Sequence, residues 1–182
     1  VKISKPVICI GNLIAGGSGK TPAAIAIGKI LQEMSVNFAY LSRGYMGDGS
    51  EFLSVNSNES NAKQVGDESI LLAEIAKTFV SKNRLFGARQ IDRMSDIEMI
   101  VLDDGMQNNT LNYDYVIAVI DASVGFGNGF LIPAGPMREN SDSGLKKADL
   151  VIVVGEAREE LLQKLPSNKV IKATIIPSNI DE

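Results

Sequence analysis

Histidine is absent from this chain, and cysteine occurs once, as Cys9, among 182 residues. A single thiol cannot form a disulfide within the chain, so a disulfide framework is excluded and a reducing compartment suits the protein. Cys9 lies inside an apolar run, which predicts a buried thiol. The chain starts at Val1, shortly before that run, and together with the missing histidine this start leads us to expect a fragment of a longer protein.

Excess positive charge and long apolar stretches are also missing. Lysine and arginine (18) are outnumbered by aspartate and glutamate (22), the formal net charge is −4, and the basic residues form no block. This balance disfavours nucleic acid as a partner. No apolar run approaches the roughly 18 residues that a membrane-spanning helix needs, and we find no signal-peptide pattern. A hydrophobic content of 45% then predicts a single globular domain over residues 1–182.

Short, continuous apolar runs alternate with helical patterns. Such runs are typical of strands buried on both faces of a parallel sheet, and the predicted strands are Val7–Ile10, Phe38–Leu41, Met99–Leu102, Tyr115–Ile120, Leu150–Val154 and Val170–Ile176. The predicted helices are Pro22–Met34, Asp67–Ala76, Arg84–Met94 and Glu156–Lys164. The alternation predicts an α/β fold, a mostly parallel sheet flanked by helices. Residues 44–62 interrupt the pattern and predict a surface flap or hairpin, and residues 122–145 predict a long loop at the carboxyl end of a strand.

A glycine-rich turn links the first predicted strand to the first predicted helix, with the sequence Ile14-Ala15-Gly16-Gly17-Ser18-Gly19-Lys20-Thr21. Glycines in this position let backbone N–H groups converge on phosphate oxygens, and the helix N-terminus adds the positive end of its dipole. Residues 14–21 therefore predict a P-loop for a nucleotide, with Lys20 at the β- and γ-phosphates and the Thr21 hydroxyl on Mg²⁺. The usual pattern has glycine at position 14, and a glycine-rich turn that binds nothing is the alternative.

Two carboxylates, Asp103 and Asp104, directly follow the apolar run 99–102. In a P-loop enzyme an aspartate at a strand tip holds Mg²⁺ directly or through water. A strand followed by a polar turn is the plain alternative, but the presence of residues 14–21 favours a metal site. ATP and Mg²⁺ are therefore the predicted cofactors.

Further candidates stand near other predicted element ends. Asp67 and Glu68 begin a predicted helix, where acidic side chains complement the helix dipole. The functional alternative makes Asp67 a general base that orients or deprotonates an acceptor hydroxyl. Arg43 follows the second predicted strand, and Arg138 lies in a stiff proline-rich turn; each arginine is either a solvated side chain or a phosphate ligand.

Taken together, these stretches resemble the tetraacyldisaccharide 4′-kinase (lipid A 4′-kinase) family of Gram-negative bacteria. The resemblance extends from about residue 6 to residue 155 and is carried by Gly11-Asn12-Leu13 with residues 16–22, Ser42-Arg43-Gly44-Tyr45, Gly66-Asp67-Glu68, Asp103-Asp104-Gly105-Met106-Gln107, and Gly127-Asn128-Gly129 with residues 133–139. Common P-loop folds do not carry the last two motifs.

The resemblance implies transfer of the γ-phosphoryl group of ATP to the 4′-hydroxyl of a tetraacyldisaccharide 1-phosphate. It implies a peripheral location at the cytoplasmic face of the bacterial inner membrane, a lipid-linked acceptor and no protein partner. By the family pattern, Mg²⁺–ATP is held by Lys20, Thr21, Asp103 and Asp104, Asp67 is the base, and the site is supported by Glu68, Arg43, Arg138 and Gln107. Asn108 stands where the family usually has histidine, and Met46 replaces a usual glycine.

Family members also carry an N-terminal membrane-facing helix and a C-terminal lobe that supplies a histidine partner to the base. We expect residues 1–182 to form the core domain without these segments, and to be inactive alone. Two other classes remain open: a P-loop ATPase of the partitioning or metal-insertion kind, and a nucleotide-binding module without catalysis. The first often has lysine where this chain has Ala15, and it leaves the last two motifs unexplained.

Overall fold

A single eight-stranded sheet organises the structure, a computed structural model that describes residues 1–44 and 51–176. Its strands are β1 (Val7–Gly11), β2 (Phe38–Ser42), β3 (Leu53–Val55), β4 (Thr78–Val80), β5 (Met99–Asp103), β6 (Tyr115–Asp121), β7 (Leu150–Val154) and β8 (Val170–Ala173). The spatial order is β3-β4-β2-β5-β1-β6-β7-β8, and every pairing is parallel except that of β3 with β4. The predicted α/β fold with a mostly parallel sheet is confirmed.

The described helices are α1 (Lys20–Glu33), α2 (Ala62–Val65), α3 (Asp67–Ala73), α4 (Arg84–Asp92), α5 (Ser141–Lys147) and α6 (Glu159–Leu162). Asparagine side chains accept backbone N–H bonds at the starts of α2, α4 and α5, which satisfies donors that a helix end leaves free. Helix α5 begins inside residues 122–145, so the loop there is shorter than predicted. Strand β4 and helix α2 were not predicted. These elements are too short for a hydrophobic period to reveal them.

Both faces of the sheet are buried, as the continuous apolar runs require. One buried cluster packs against α4 and α5 and contains Cys9, Ala39, Leu41, Ile100 and Leu102. The other packs against α1 and α3 and contains Ile10, Phe38, Tyr40 and Val101. Because side chains alternate across a strand, consecutive residues enter opposite clusters. Each large side chain contributes about 1.5–3 kcal/mol to folding, and the prediction that Cys9 is buried is confirmed.

A close approach between α1 and β2 explains a glycine that the helical pattern alone does not favour. The Tyr40 hydroxyl donates a hydrogen bond to the Ala24 carbonyl across 2.8 Å. A Cβ atom at Gly28 would lie 1.9 Å from that hydroxyl oxygen. Glycine at position 28 therefore lets the helix sit directly on the buried tyrosine.

Part of the predicted flap at 44–62 joins the main sheet. Strand β3 pairs antiparallel with β4 at the sheet edge, with Leu53 opposite Val80. Residues 45–50 of the predicted flap, including Tyr45 and Met46, lie outside the described residues. No helix among the described residues is long and apolar enough to cross a membrane.

Candidate active site

The glycine-rich turn lies at the carboxyl end of β1, between the central strands of the sheet. Gly16 has φ 114° and Gly19, the N-cap of α1, has φ 76°, so both adopt backbone conformations that favour glycine. Buried Asn12 braces the turn by donating its Nδ2–H to Ser18 Oγ across 2.8 Å. Among the described residues, the N–H groups from Gly16 to Thr21 donate to no protein acceptor, which leaves them available to an anion.

The first two residues of the predicted phosphate site have another role. Ile14 is buried and forms a bridge with Met137, and the Ala15 N–H donates to the Pro136 carbonyl across 2.7 Å. The Ala15 N–H is therefore already bonded and does not face a phosphate. These two residues anchor the turn to residues 136–137, and residues 16–21 form the part that can face a ligand.

Asp104 connects three of the sequence motifs. Its carboxylate lies 4.0 Å from Lys20 Nζ, and Arg138 Nη1 donates to its two oxygens across 2.9 and 3.0 Å. Gln107 accepts from the same Arg138 nitrogen across 3.3 Å and donates to the Asn12 carbonyl across 2.9 Å. The structure thus brings three predicted residues, Lys20, Arg138 and Gln107, together around the carboxylate of Asp104. Asp104 itself has φ 53°, a left-handed conformation that aspartate tolerates better than most residues.

Asp103, one residue earlier, has a different environment. It is 1% exposed, and among the described residues neither of its carboxylate oxygens has a hydrogen-bond partner. Burial, reinforced by the negative charges of Glu68 and Asp104, raises the pKa of Asp103 to about 6, against the opposing effect of Lys20 and Arg84. A buried carboxylate with two free oxygens is a strong candidate to bind a cation.

The residues present fit Mg²⁺ in the way that nucleotide sites usually hold it. The described residues contain no group of three or more histidine, cysteine, aspartate or glutamate side chains that could hold a metal ion. Mg²⁺ needs no such cage, because it is usually bound by one or two carboxylates together with substrate phosphates and water. Asp103, with Thr21 at the start of α1, matches that kind of site.

Arg84, at the start of α4, is a site residue that the motifs did not indicate. It is 5% exposed, and its Nη2 donates to the carbonyls of Asp103 and Asp104 across 3.0 and 2.9 Å. Burial lowers its pKa, and the two aspartates oppose that shift. The guanidinium therefore holds the backbone of the two carboxylates. The one sequence signal was an asparagine cap, Asn83, in front of a helix that begins with arginine.

Two cavities open at this edge of the sheet. The first, of about 290 Å³, we call the basic cavity, and it is lined by Arg43, Lys82, Arg84, Asp104, Gln107, Asn108 and Arg138. Three of the predicted supporting residues, Arg43, Gln107 and Arg138, thus line this cavity together with Asn108. Asn108 accepts hydrogen bonds from the backbone N–H and the hydroxyl of Thr110 across 2.9 and 2.6 Å, so its side chain stabilises the local turn.

The second cavity, of about 400 Å³, holds the predicted base. Its lining includes Asp67, Glu68, Ser42 and Gly44. Asp67 is exposed at the first residue of α3 and forms no hydrogen bond or ion pair with a described residue. Glu68 contributes to the raised pKa of Asp103, which indicates that this cavity adjoins the carboxylates. The role of Asp67 as a base stays a prediction.

An apolar tip, which we define as Phe130, Leu131 and Ile132, stands exposed beside the glycine-rich turn. The tip is held from below by Met137, which donates its N–H to the Phe130 carbonyl and accepts from the Ile132 N–H. The next residue, Arg138, donates its N–H to the Leu13 carbonyl across 2.8 Å. The same segment thus carries an apolar surface and the arginine of the site.

Comparisons with known proteins agree on one family. The family profile described as tetraacyldisaccharide-1-P 4′-kinase matches residues 1–181. A tetraacyldisaccharide 4′-kinase from Jannaschia sp. is 49% identical over 156 residues, which are 85% of this chain and 47% of that protein. One from Rhodospirillum rubrum is 42% identical over 166 residues, which are 91% of this chain and 50% of that protein.

A solved structure extends the likeness to three dimensions. LpxK from Aquifex aeolicus, crystallised in complex with ATP, superposes with a TM-score of 0.71 at 29% sequence identity, over 84% of this chain and 49% of that one. The chain thus spans about half the length of the relatives that it matches.

Proposed function

Because this chain belongs to the tetraacyldisaccharide 4′-kinase family, we propose that the intact protein transfers the γ-phosphoryl group of ATP to the 4′-hydroxyl of a tetraacyldisaccharide 1-phosphate. The observation that supports this proposal best is the cluster of Lys20, Asp104 and Arg138 beside the free carboxylate of Asp103. Phosphoryl transfer depends on positioned charges of this kind more than on covalent chemistry.

ATP is the proposed donor, since the related LpxK was crystallised with it. The free N–H groups of residues 16–21 would bind its phosphates, and the Lys20 ammonium would neutralise charge on the β- and γ-phosphates. Mg²⁺ would be held by Thr21 and Asp103, with Asp104 acting through water because Arg138 already occupies its oxygens. When bound, the ion supplies further neutralisation of the phosphate charge.

In the proposed reaction, the second cavity would bind the acceptor. Asp67 would orient the 4′-hydroxyl and take its proton as the bond to phosphorus forms. Its exposure leaves the carboxylate free to meet a substrate, and Glu68 stands next to it on α3. Arg138 would stabilise the charge that develops on the transferred group.

A lipid acceptor also explains the apolar tip. Exposed apolar residues that occur singly are ordinary, but three in succession on a loop that also carries a site arginine suit contact with acyl chains. We therefore propose that the tip meets the acyl chains of the acceptor, and that the protein works peripherally at the cytoplasmic face of the inner membrane.

The proposed activity is tested by a phosphoryl-transfer assay with the intact protein, Mg²⁺, ATP labelled at the γ-phosphate and tetraacyldisaccharide 1-phosphate. We expect label in the lipid and little release of inorganic phosphate. Hydrolysis that is equally fast without the lipid would identify an ATPase, and nucleotide binding without any turnover would identify a binding module.

Asp67→Asn should lower kcat by about 10²–10⁴-fold with little change in the KM for ATP, because a general base is lost while the phosphate site is untouched. The matched control is Asp142→Asn, which removes another exposed aspartate from the first turn of a helix. Steady-state kinetics on both variants separates the two roles. An equally small effect in both would mean that Asp67 only complements the helix dipole.

Ile132→Ser should raise the KM for lipid acceptor in vesicles or micelles several-fold, since each apolar group withdrawn from acyl chains removes favourable burial. Ile30→Ser is the control, because Ile30 on α1 is 50% exposed and Ile132 is 56% exposed. We expect neither change to alter the KM for ATP. Identical lipid KM values in the two variants would contradict a role for the tip.

A further inference from the structure

Asn12 is a buried polar residue that lies directly after β1 and just before the glycine-rich turn. Its exposed fraction is 0%, and among the described residues its Oδ1 has no hydrogen-bond partner. A buried acceptor without a donor costs free energy. Stability alone would therefore favour an apolar side chain of the same size at position 12, so the amide needs another explanation.

The other end of the same amide is bonded to the turn. Nδ2 donates to Ser18 Oγ across 2.8 Å and to the Gly16 carbonyl across 3.4 Å. Two hydrogens on the nitrogen allow both bonds, and because a carbonyl oxygen only accepts, the Gly16 contact identifies the nitrogen end of the amide. Asn12 thus uses its donors on two oxygen atoms of the turn and leaves its own oxygen unpartnered.

These two bonds determine which polar groups the turn presents to a ligand. A turn carries carbonyl oxygens as well as N–H groups, and an oxygen that faces a phosphate repels it. Asn12 holds the oxygens of Gly16 and Ser18 on the interior side, while the N–H groups of residues 16–21 donate to no acceptor within the described part of the chain. A turn that offers donors and withholds acceptors is suited to an anion.

Asn12 is itself held in place by the neighbouring motifs. Its backbone carbonyl accepts from Gln107 Nε2 across 2.9 Å, and the next carbonyl, that of Leu13, accepts from the Arg138 N–H across 2.8 Å. A Cβ atom at Gly11 would lie 2.6 Å from Met106 Cγ, so the end of β1 packs directly on the residues that follow Asp104. The amide is therefore a fixed point to which the turn is tied.

We propose that Asn12 is a positioning residue of the nucleotide site, whose side-chain amide holds the oxygen atoms of Gly16 and Ser18 away from the phosphates. It acts through the turn and does not touch the nucleotide. This inference rests on the proposed function only in taking residues 16–21 as the phosphate site. Without the amide, the Gly16 peptide and the Ser18 hydroxyl are free to turn toward the ligand, and nucleotide binding weakens.

The first test uses Asn12→Leu in the intact protein, because leucine keeps the size of the side chain and removes its donors. Calorimetric titration with Mg²⁺ and a non-hydrolysable ATP analogue should show affinity lowered roughly tenfold, the loss expected for one hydrogen bond to a charged group. Thermal unfolding of the ligand-free variant should stay close to wild type, since the unpartnered oxygen is also removed. Asn12→Ala, which cannot overpack the site, should lower the affinity to the same extent.

Tyr40→Phe is the matched control. It removes another buried hydrogen bond, the one that the Tyr40 hydroxyl donates to the Ala24 carbonyl on α1, the helix that follows the turn. We expect this control to unfold at a lower temperature and to bind the nucleotide analogue as wild type does. A purely structural role for Asn12 predicts the reverse for Asn12→Leu, a loss of stability with unchanged affinity, and that result would overturn the proposal.

The second test asks whether Asn12 acts through Ser18. Because the two side chains share a hydrogen bond, Asn12→Leu should weaken nucleotide binding less in a Ser18→Ala background than in wild type. Losses of affinity that multiply, as for two independent sites, would contradict this route.

Both tests measure binding, so they separate this inference from the proposed function. Lipid phosphorylation by a protein whose nucleotide affinity is the same with and without the Asn12 amide would overturn the role of Asn12 and leave the kinase assignment intact. Nucleotide affinity that depends on Asn12, in a protein that phosphorylates no lipid, would overturn the kinase assignment and support the role of Asn12.

Discussion

Lys20→Met is expected to lower kcat for phosphoryl transfer by about 10²–10³-fold while the protein still folds. Methionine keeps most of the buried stem of this side chain, which is 8% exposed, and removes only the ammonium. Asp104 retains its bonds to Arg138 after the change, so no buried carboxylate is left unpaired at that position. The main effect of the change is therefore that the transition state loses the stabilising positive charge of the Lys20 ammonium.

The measurement combines steady-state kinetics with a thermal unfolding curve. Lys29→Met serves as the control, since Lys29 is exposed on the same helix and outside the glycine-rich turn. We expect the control to keep wild-type turnover. A Lys20→Met protein that is folded and active within tenfold of wild type would remove residues 14–21 from the proposed mechanism.

Asp103→Asn is expected to have two opposite effects, a loss of kcat of about 10²–10³-fold and a gain in stability of the ligand-free protein. The gain follows from the raised pKa of Asp103, about 6 in the folded chain. An unfolded aspartate releases its proton near pH 4, so between about pH 4 and pH 6 the folded state holds more protons than the unfolded state. The contribution of Asp103 to folding stability therefore falls as pH rises through that window.

Well above pH 6 the buried carboxylate is charged and lowers the free energy of unfolding by about 3 kcal/mol, since each pKa unit corresponds to about 1.4 kcal/mol. Asp103→Asn removes that charge. The variant should thus unfold at a higher temperature than wild type at pH 7.5, and the difference should shrink at pH 4.5. Asp104→Asn is the control, because it breaks the pair with Arg138 and should bring no gain. Adding Mg²⁺ and nucleotide should reverse the order, since only wild type would then gain ligand binding.

Equal unfolding temperatures for wild type and Asp103→Asn at both pH values would contradict the buried, unpartnered state of this carboxylate. A variant that keeps the wild-type dependence of turnover on Mg²⁺ concentration would contradict its role at the metal. The two measurements are independent, so the stability prediction and the metal-binding prediction can each be contradicted without the other.

The sheet could be predicted in large part because its strands are buried on both faces. Short, continuous apolar runs such as Leu150–Val154 are typical of strands that are covered on both faces. The spatial order of the strands in the sheet could not be predicted from the sequence. Strand β5 lies between β1 and β2, although 93 residues separate Val7 on β1 from its partner Ile100 on β5, and nothing local in the chain specifies that insertion.

Prediction was weakest for short elements. Strand β4 has three residues and α5 has seven, and neither repeats its hydrophobic period often enough to be recognised. Their existence depends on what they pack against. Thr78–Val80 become a strand because the exposed edge of β2 offers them hydrogen bonds, and that edge exists only once the sheet has formed.

The sequence by itself determined the chemistry that the site can offer. The glycines before Lys20 prescribe a turn with free N–H groups, and two successive aspartates after an apolar strand prescribe carboxylates at its tip. These are local properties, because backbone freedom and strand alternation act within a few residues.

Only the tertiary structure decided how those groups divide their roles. It buries Asp103 without partners, turns Asp104 toward Lys20 and Arg138, and places Arg84 beneath both. It also gathers Arg43, which follows β2, and Lys82 and Arg84, which follow β4, into one cavity. The physical reason is that desolvation and Coulomb interactions depend on distance and burial in space, which a linear chain leaves open until parallel strands bring their carboxyl ends to one edge.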